Sequence, residues 1–364
     1  MFLGLRDIRF AKGRFALMSS VIALITMLLV MLSGLTAGLG NQSTSAIADL
    51  PAQALVFNTP KDAKASFTES VISPEQLATW QDKLGDQVQP LGLSQARAEA
   101  TNVTNVTVFG SPVAPKLAGT DQPLAKGEVF VDSETADALG VLNADATLKT
   151  DATVTLNGQT FTVTGLTAPA WYSHMPVMWM GLEDWKGLSH SPESTVGTVL
   201  TVLDTTTATT KDLTALADQT STTALTPKQS FAALGSYSSE NGSLKMMQGF
   251  LYGISALVIA AFLAVWTVQR TRDIAVLKAL GAANRYVVFD ALVQAGVALV
   301  AGVLVGGLIG LGGGLLAAKA APFLITGATF AIPVLGVFVL GLLASVAAVR
   351  GATKINPLIA LGGN

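Results

Sequence analysis

One sixteen-residue stretch of the chain concentrates side chains that could bind a flat, partly apolar ligand. The run AWYSHMPVMWMGLEDW at 170–185 holds three of the five tryptophans and three of the nine methionines. A porphyrin requires an apolar slot, polar groups for its propionates and an axial ligand from His, Met, Tyr or a carboxylate. Tyr172, His174 and Met175 are the candidates for such a pocket. The alternative, which composition alone favours, is a partly buried strand with aromatic side chains at the level of the lipid headgroups.

The sequence lacks the motifs of nucleotide-binding and hydrolytic enzymes. It contains no G-x-x-x-x-G-K-[ST], G-x-S-x-G or H-E-x-x-H run, and it has two histidines and no cysteine. We therefore expect a non-catalytic chain without an intrinsic cofactor, and any ATP that it uses must be bound by another subunit. The net charge of −2 gives no reason to expect nucleic acid as a partner.

The charged residues, which make up 13% of the chain, are distributed unevenly. Four stretches carry none: Phe15–Ala48, Met246–Gln269, Ala291–Ala318 and Ala320–Val349. Each exceeds the roughly 20 apolar residues that cross about 30 Å of hydrocarbon as a helix. The sequence therefore predicts four transmembrane helices, over 15–40, 246–269, 291–318 and 328–349.

A cleaved signal peptide is the alternative for the first stretch, because four basic residues lie in the fourteen residues before it. The apolar run FALMSSVIALITMLLVMLSGLTAGL is, however, well above the roughly 7–15 residues of a signal-peptide core. An uncleaved membrane anchor is therefore the favoured interpretation.

The remaining charges predict the orientation in the membrane. Residues 1–14, 270–290 and 350–364 together hold ten Lys/Arg against three acids, a balance of +7, whereas residues 41–245 hold eleven against twenty-one, a balance of −10. Because positive loops stay in the cytoplasm, both termini and the middle loop are expected inside. The insertion 41–245 and a short loop, 319–327, are expected outside, in a multi-pass protein surrounded by lipid.

The outer insertion shows both strand and helix patterns. TVTLNGQTFTV at 153–163 alternates around Asn157-Gly158, which predicts a two-residue β-hairpin. Further strands are predicted over 53–58, 103–110, 127–132 and 194–203, and helices over 74–85, 132–142 and a short segment from Thr210. The predicted fold class is a four-helix membrane protein with a large α+β extracytoplasmic domain between its first two helices.

A glycine stripe marks the third membrane segment. Its glycines recur at every fourth position: Gly302, Gly306, Gly310 and Gly314. Such small-xxx-small spacing lets helix backbones approach closely in lipid. General glycine richness of membrane helices is the alternative, and the spacing leaves open whether the neighbour lies in the same chain or in another subunit.

The cytoplasmic stretch RTRDIAVLKALGA (270–282) predicts a short amphipathic helix. Ile274, Leu277 and Leu280 recur on one face, and Gly281 is a C-terminal stop. Physical reasoning alone indicates a membrane-surface helix or a docking helix for a partner.

This stretch also resembles a known family. R-x-R-D-I-A-V-L-K-A-L-G-A after a second membrane helix is similar to the signature of FtsX/MacB-type ABC transporter permeases, and RGATKINPLIAL (350–361) is similar to their closing motif. The resemblance implies a homodimer in the bacterial cytoplasmic membrane, with two copies of a separate ATPase subunit. It also implies ATPase coupling by Arg270, Arg272, Asp273, Ile274, Leu277, Lys278, Leu280 and Gly281.

A second resemblance concerns the cargo. W-Y-S-H-x-P-V-x-W at 171–179, SFTES at 66–70 and SYSSENGSLKMM at 236–247 resemble the HrtB branch, the permeases of haem exporters. The resemblance implies haem as the transported ligand, with Glu69 as first and Glu240 as second candidate for its axial ligand. Tyr172 and Tyr237 would supply supporting hydroxyls, with His174 as an additional candidate. The alternatives are a solvated acid at Glu69 and a helix cap at Glu240, beside Asn241-Gly242.

Two other functions fit the same family resemblance. One is export of a peptide, a lipoprotein or an antimicrobial compound, as by MacB-like and Lol-like permeases. The other is an FtsX-like transducer that controls a cell-wall hydrolase and transports nothing. The transducer would require a protein-docking surface on 41–245.

Overall fold

The computed structural model describes residues 12–59, 63–189, 192, 194–204, 208–269 and 283–352. The predicted coupling residues from Arg270 to Gly281 and the closing motif after Ala352 lie outside these ranges. The described part of the chain divides into two compact units. The outer-domain unit is Gly40–Asn241, and the helical unit consists of the segments on either side of it.

Ten α-helices are formed by the described residues: α1 (Lys12–Ala48), α2 (Pro74–Leu84), α3 (Ala114–Leu117), α4 (Ser133–Leu139), α5 (Leu182–Ser189), α6 (Thr210–Gln219), α7 (Pro227–Ser230), α8 (Gly235–Gln269), α9 (Asn284–Ala317) and α10 (Gly327–Ala352). Four of them, α1, α8, α9 and α10, are long and apolar enough to cross a membrane. The four predicted membrane helices are therefore confirmed.

Two of these helices extend beyond the predicted membrane spans at the ends that join the outer domain. The helix α1 continues to Ala48, beyond the predicted end at residue 40, and α8 begins at Gly235 rather than at 246. At 1.5 Å per residue, α1 is about 55 Å long, well above the thickness of the hydrocarbon layer. The polar NQSTS run carries no proline, and it continues the helix into the outer-domain unit, where Ser43, Thr44 and Ser45 are buried.

The outer-domain unit contains ten strands: β1 (Ala52–Phe57), β2 (Val88–Glu99), β3 (Val103–Gly110), β4 (Glu128–Asp132), β5 (Thr153–Leu156), β6 (Gln159–Thr167), β7 (Trp171–Tyr172), β8 (Met175–Met180), β9 (Val199–Leu203) and β10 (Thr223–Leu225). They form one mixed sheet in the order β10-β1-β9-β2-β3-β8-β4-β6-β5, with β7 paired to β8. An α+β outer domain was predicted, and the structure confirms it.

Six of these strands close on themselves. The strand β2 pairs with β3 from Gly92 to Glu99 and with β5 at Ala98 and Glu99, so β2, β3, β8, β4, β6 and β5 form a ring. Alternate residues of all six strands share one core, which includes Ala98, Val108, Val131, Val154, Val163 and Met178. Closure leaves these six strands without an unpaired edge along the ring.

Local sequence explains several elements of this unit. Asn157 and Gly158 have φ angles of +46° and +88°, as the predicted hairpin requires. Ser73 caps α2 in a reciprocal arrangement with Gln76, and Thr209 caps α6 in the same way. The strand predicted over 194–203 is shorter, because Gly197 forms only an isolated bridge to Ile72.

In the helical unit, the glycine stripe of α9 packs against α1. A Cβ added to Gly302 would lie 2.7 Å from Cβ of Ile22, and one added to Gly306 would overlap the backbone of Ala23. At Gly310 the nearest atom belongs to Val30, 3.0 Å away. The close contact that the spacing predicted is therefore made within the same chain at these three positions.

A second set of glycines receives the loop between α9 and α10. Added Cβ atoms at Gly34 and Gly314 would overlap or crowd the ring of Phe323, and one at Gly38 would overlap the backbone of Pro322. The loop is thereby seated on α1 within the helical unit.

Candidate functional site

The predicted aromatic motif forms a tight hairpin between β7 and β8. Tyr172 pairs with Met175, and Ser173 and His174 are the two residues of the turn. Their φ angles are +51° and +63°, which is the pattern of a type I′ turn. A left-handed backbone costs a residue with a Cβ about 1–2 kcal/mol, so this turn is maintained by contacts elsewhere.

Those contacts are made by the last turns of α1. The backbone N–H of Ser173 donates to the carbonyl of Ser43 at 3.1 Å, and the N–H of His174 donates to the carbonyl of Gln42 at 3.0 Å. The N–H of Trp171 donates to the Ser45 hydroxyl at 2.9 Å. Three successive hydrogen bonds therefore hold the hairpin tip on this helix.

The His174 side chain connects the hairpin tip to two helices. Its Nε2 lies 3.0 Å from the Ser43 Oγ on α1 and 3.0 Å from the Glu240 Oε2 on α8. Because a carboxylate only accepts, an N–H at Nε2 donates to Glu240, and the Ser43 oxygen lies within reach of the same hydrogen. About a third of each ionisable side chain is exposed, 35% for His174 and 33% for Glu240, so solvent and ligands have access to the pair.

The remaining candidates for the haem pocket, Tyr172, Met175 and Tyr237, lie in different environments. Tyr172 is buried with its ring 5.6 Å from that of Phe67 and 5.5 Å from that of Phe109. Burial raises the pKa of its hydroxyl, so Tyr172 stays protonated at neutral pH. Met175 is half-buried. Tyr237 on α8 is also half-buried, and its ring packs against Phe231 at 5.7 Å.

Glu69 is not part of the hydrogen-bonded cluster that the described residues form. It is exposed in a turn after Phe67, and none of the hydrogen bonds or ion pairs found among the described residues joins it to Glu240, Tyr172 or Tyr237. The two axial-ligand candidates therefore have different surroundings, with a free carboxylate at Glu69 and a paired one at Glu240. The helix-cap alternative for Glu240 is wrong, because α8 begins five residues earlier at Gly235.

A cleft of about 610 Å³ lies beside the hairpin within the outer-domain unit. Phe67, Tyr172 and Trp185 contribute its aromatic surface, and Ser70, Thr107 and Thr198 are among its hydroxyl-bearing residues. Those hydroxyls donate to backbone carbonyls of the domain. The described lining carries no charged side chain, so the cleft suits a ligand held by apolar and neutral polar contacts.

Sequence reasoning missed the serines that complete the site. Ser43, Ser45 and Ser236 contact the hairpin, the last through its hydroxyl at 3.3 Å from that of Ser173. Ser236 is the first residue of the SYSSENGSLKMM motif, but the sequence predicted no contact for it. The available signal was the polar NQSTS run at the end of a helix that otherwise holds apolar residues.

Comparison with protein families identifies both parts of the chain. Residues 15–228 match the MacB-like periplasmic core domain, and residues 246–357 match the FtsX-like permease C-terminal domain. The chain belongs to the FtsX/MacB-type permease family. This permease is therefore a multi-pass protein of the bacterial cytoplasmic membrane and a transport component of an ABC system, and the family implies a partner ATPase subunit.

Relatives with proposed roles in hemin transport align with the permease from end to end. One, from Staphylococcus haemolyticus, is a proposed hemin transport system permease protein, HrtB, 23% identical over 100% of this chain and 99% of its own length. Another with the same name, from Staphylococcus epidermidis, is 24% identical over the same shares. An uncharacterized ABC transporter permease of Mycobacterium bovis is 34% identical over 31% of this chain and 32% of its own.

Two solved structures resemble part of the permease. The periplasmic region of MacB from Actinobacillus actinomycetemcomitans is 12% identical and covers 50% of this chain and 92% of that one, with a TM-score of 0.38. The extracellular domain of the transporter YknZ from Gram-positive bacteria is 14% identical, with a TM-score of 0.34 and shares of 47% and 98%.

Proposed function

We propose that this chain is the permease subunit of an ATP-driven exporter that takes haem from the outer leaflet of the cytoplasmic membrane and expels it. The observation that carries the proposal is the end-to-end similarity to proteins named as hemin transport permeases. Two copies of the permease would work with two ATPase subunits, which dock on the segment around residues 270–281 and bind the ATP.

The surroundings of the two carboxylates support this cargo. Glu69 is exposed and has no hydrogen-bond or ion-pair partner among the described residues, and Glu240 is partly exposed beside His174. A carboxylate is one of the side chains that ligate haem iron, and a single oxygen ligand should hold ferric haem more loosely than a pair of histidines. Weak ligation suits an exporter, since the cargo must leave at the end of each cycle.

Replacing the axial ligand should change the spectrum of bound haem. We expect Glu69→Gln to weaken binding of ferric haem to the full-length permease in detergent by about tenfold or more and to shift the Soret band, because an amide is a poor iron ligand. Glu240→Gln should weaken haem binding and shift the Soret band in the same way if Glu240 is the axial ligand. The measurement is an absorbance titration of each variant with haem.

Glu134→Gln is the matched control, because Glu134 is an exposed acid on α4. Its titration should match that of the unmodified chain. Unchanged spectra and affinities for both test variants would remove both carboxylates from the site.

Transport itself is tested in proteoliposomes that contain the permease and its ATPase subunit. ATP-dependent loss of haem from the membrane is the expected result, and its absence with both subunits present would refute haem export. A wall hydrolase that copurifies with the permease, together with no haem spectrum, would instead support the transducer function.

A further inference from the structure

The hairpin tip contacts two helices that each continue as a membrane span. Within the outer-domain unit, the Nε2 of His174 lies 3.0 Å from both the Ser43 Oγ and the Glu240 Oε2. Ser173 lies beside Ser236 on α8, with 3.3 Å between their hydroxyl oxygens. Through these side chains and the backbone N–H groups of Ser173 and His174, both residues of the turn contact α8 and α1.

The turn is held in a conformation that its own residues do not favour. Neither Ser173 nor His174 is glycine, yet both have positive φ angles, and Asn-Gly is the pair preferred at such positions. Their backbone N–H groups donate to carbonyls of α1. Because the helix contacts maintain a strained turn, losing those contacts would favour its release.

We propose that His174 is a positioning residue that latches the outer ends of α1 and α8 to the hairpin, and that this latch opens during the transport stroke. The Ser43–His174–Glu240 contact is the closed state. Opening frees the Glu240 carboxylate and lets the two helix ends separate. The inference goes beyond the choice of cargo, since it requires only that the chain is a permease whose helices move.

Cysteine cross-linking tests whether His174 closes the latch. The chain has no cysteine of its own, so Ser173→Cys with Ser236→Cys introduces one cysteine pair per chain where the two hydroxyls now lie 3.3 Å apart, and a cross-link within the chain is distinguished from one between copies by its electrophoretic mobility. In membranes of the full-length permease, oxidant should cross-link this pair rapidly. Adding His174→Gly should slow cross-linking at least fivefold, whereas equal rates with and without His174 would overturn the proposal.

Glycine is chosen because it tolerates the φ of +63°, so the variant removes the imidazole without straining the turn. Gln248→Leu is the matched control, since Gln248 donates to the Thr36 hydroxyl at 3.0 Å and thus joins the same two helices within the helical unit. Cross-linking should be unaffected by it. An equal loss in this control would show that any weakening of the helix pair suffices, which would also overturn a specific role for His174.

Locking the latch tests whether it must open. In proteoliposomes with the ATPase subunit, we expect oxidation of the cysteine pair to abolish permease-dependent transport and reductant to restore it. Full transport by the cross-linked protein would refute opening. The cross-linking assay needs neither haem nor ATP, so its outcome is independent of the proposed cargo.

Discussion

Gly306→Leu is expected to destabilise the helical unit. An added Cβ would overlap the carbonyl oxygen of Ala23 and lie 2.7 Å from its Cα, so α9 could accept a larger side chain only by moving away from α1. Overpacking of this kind costs about 1–3 kcal/mol even where side chains can adjust, and here the obstacle is backbone. We expect a loss of monodisperse protein or a fall of about 5–10 °C in the unfolding midpoint in detergent.

Gly312 provides the control on the same helix. A Cβ there would meet nothing within 4 Å, and the residue is exposed. Gly312→Leu should therefore leave the free energy of unfolding within about 0.5 kcal/mol of the parent, as surface changes usually do. Equal loss from both substitutions would show that the stripe is not a specific contact.

Gly110→Val is expected to destabilise the ring of strands by displacing a tryptophan. Gly110 faces Gly92 across β2 and β3, and an added Cβ at either position would overlap the buried Trp185. The indole is 2% exposed and donates from Nε1 to the Ser94 hydroxyl at 3.0 Å. We expect a loss of about 1–3 kcal/mol, measured by thermal unfolding of the full-length permease.

A double-mutant cycle identifies the cause. Trp185→Ala alone should cost about 3–5 kcal/mol, and Gly110→Val should cost at least about 1 kcal/mol less in that background because the obstacle is gone. Gly187→Ala, on the same helix as Trp185 and with nothing within 4 Å, should be neutral. Strictly additive losses would contradict this account of the packing.

The features that the sequence predicted are those with a local cause. Charge-free stretches form membrane helices because lipid offers no hydrogen-bond partner to unpaired backbone N–H and C=O groups. Asn157-Gly158 forms a hairpin because both positions accept a positive φ. The strand over 103–110 follows from its β-branched residues and has the predicted bounds. Each of these outcomes depends on a few neighbouring residues.

The features that sequence reasoning missed depend on contacts between residues that are distant in the chain. Ser173-His174 is not a preferred turn pair, so its conformation follows from the α1 carbonyls that it meets. Strand β2 contains Pro90 and Gly92, residues that favour loops, yet tertiary pairing with β9 and β3 holds it extended. Asn241-Gly242 suggested a helix end, but the apolar run that follows continues the helix. The roles of Glu69 and Glu240 in binding haem stay predictions.

The outer domain starts and ends at neighbouring points. Gly40 on α1 lies 3.6 Å, measured from an added Cβ, from the ring of Tyr237 on α8, although almost two hundred residues separate them in the chain. An insertion with adjacent ends can be exchanged without changing the spacing of its flanking segments. Within such a scaffold, selection can replace the outer domain while the membrane helices keep their own packing, so one set of membrane helices can come to carry many different outer domains.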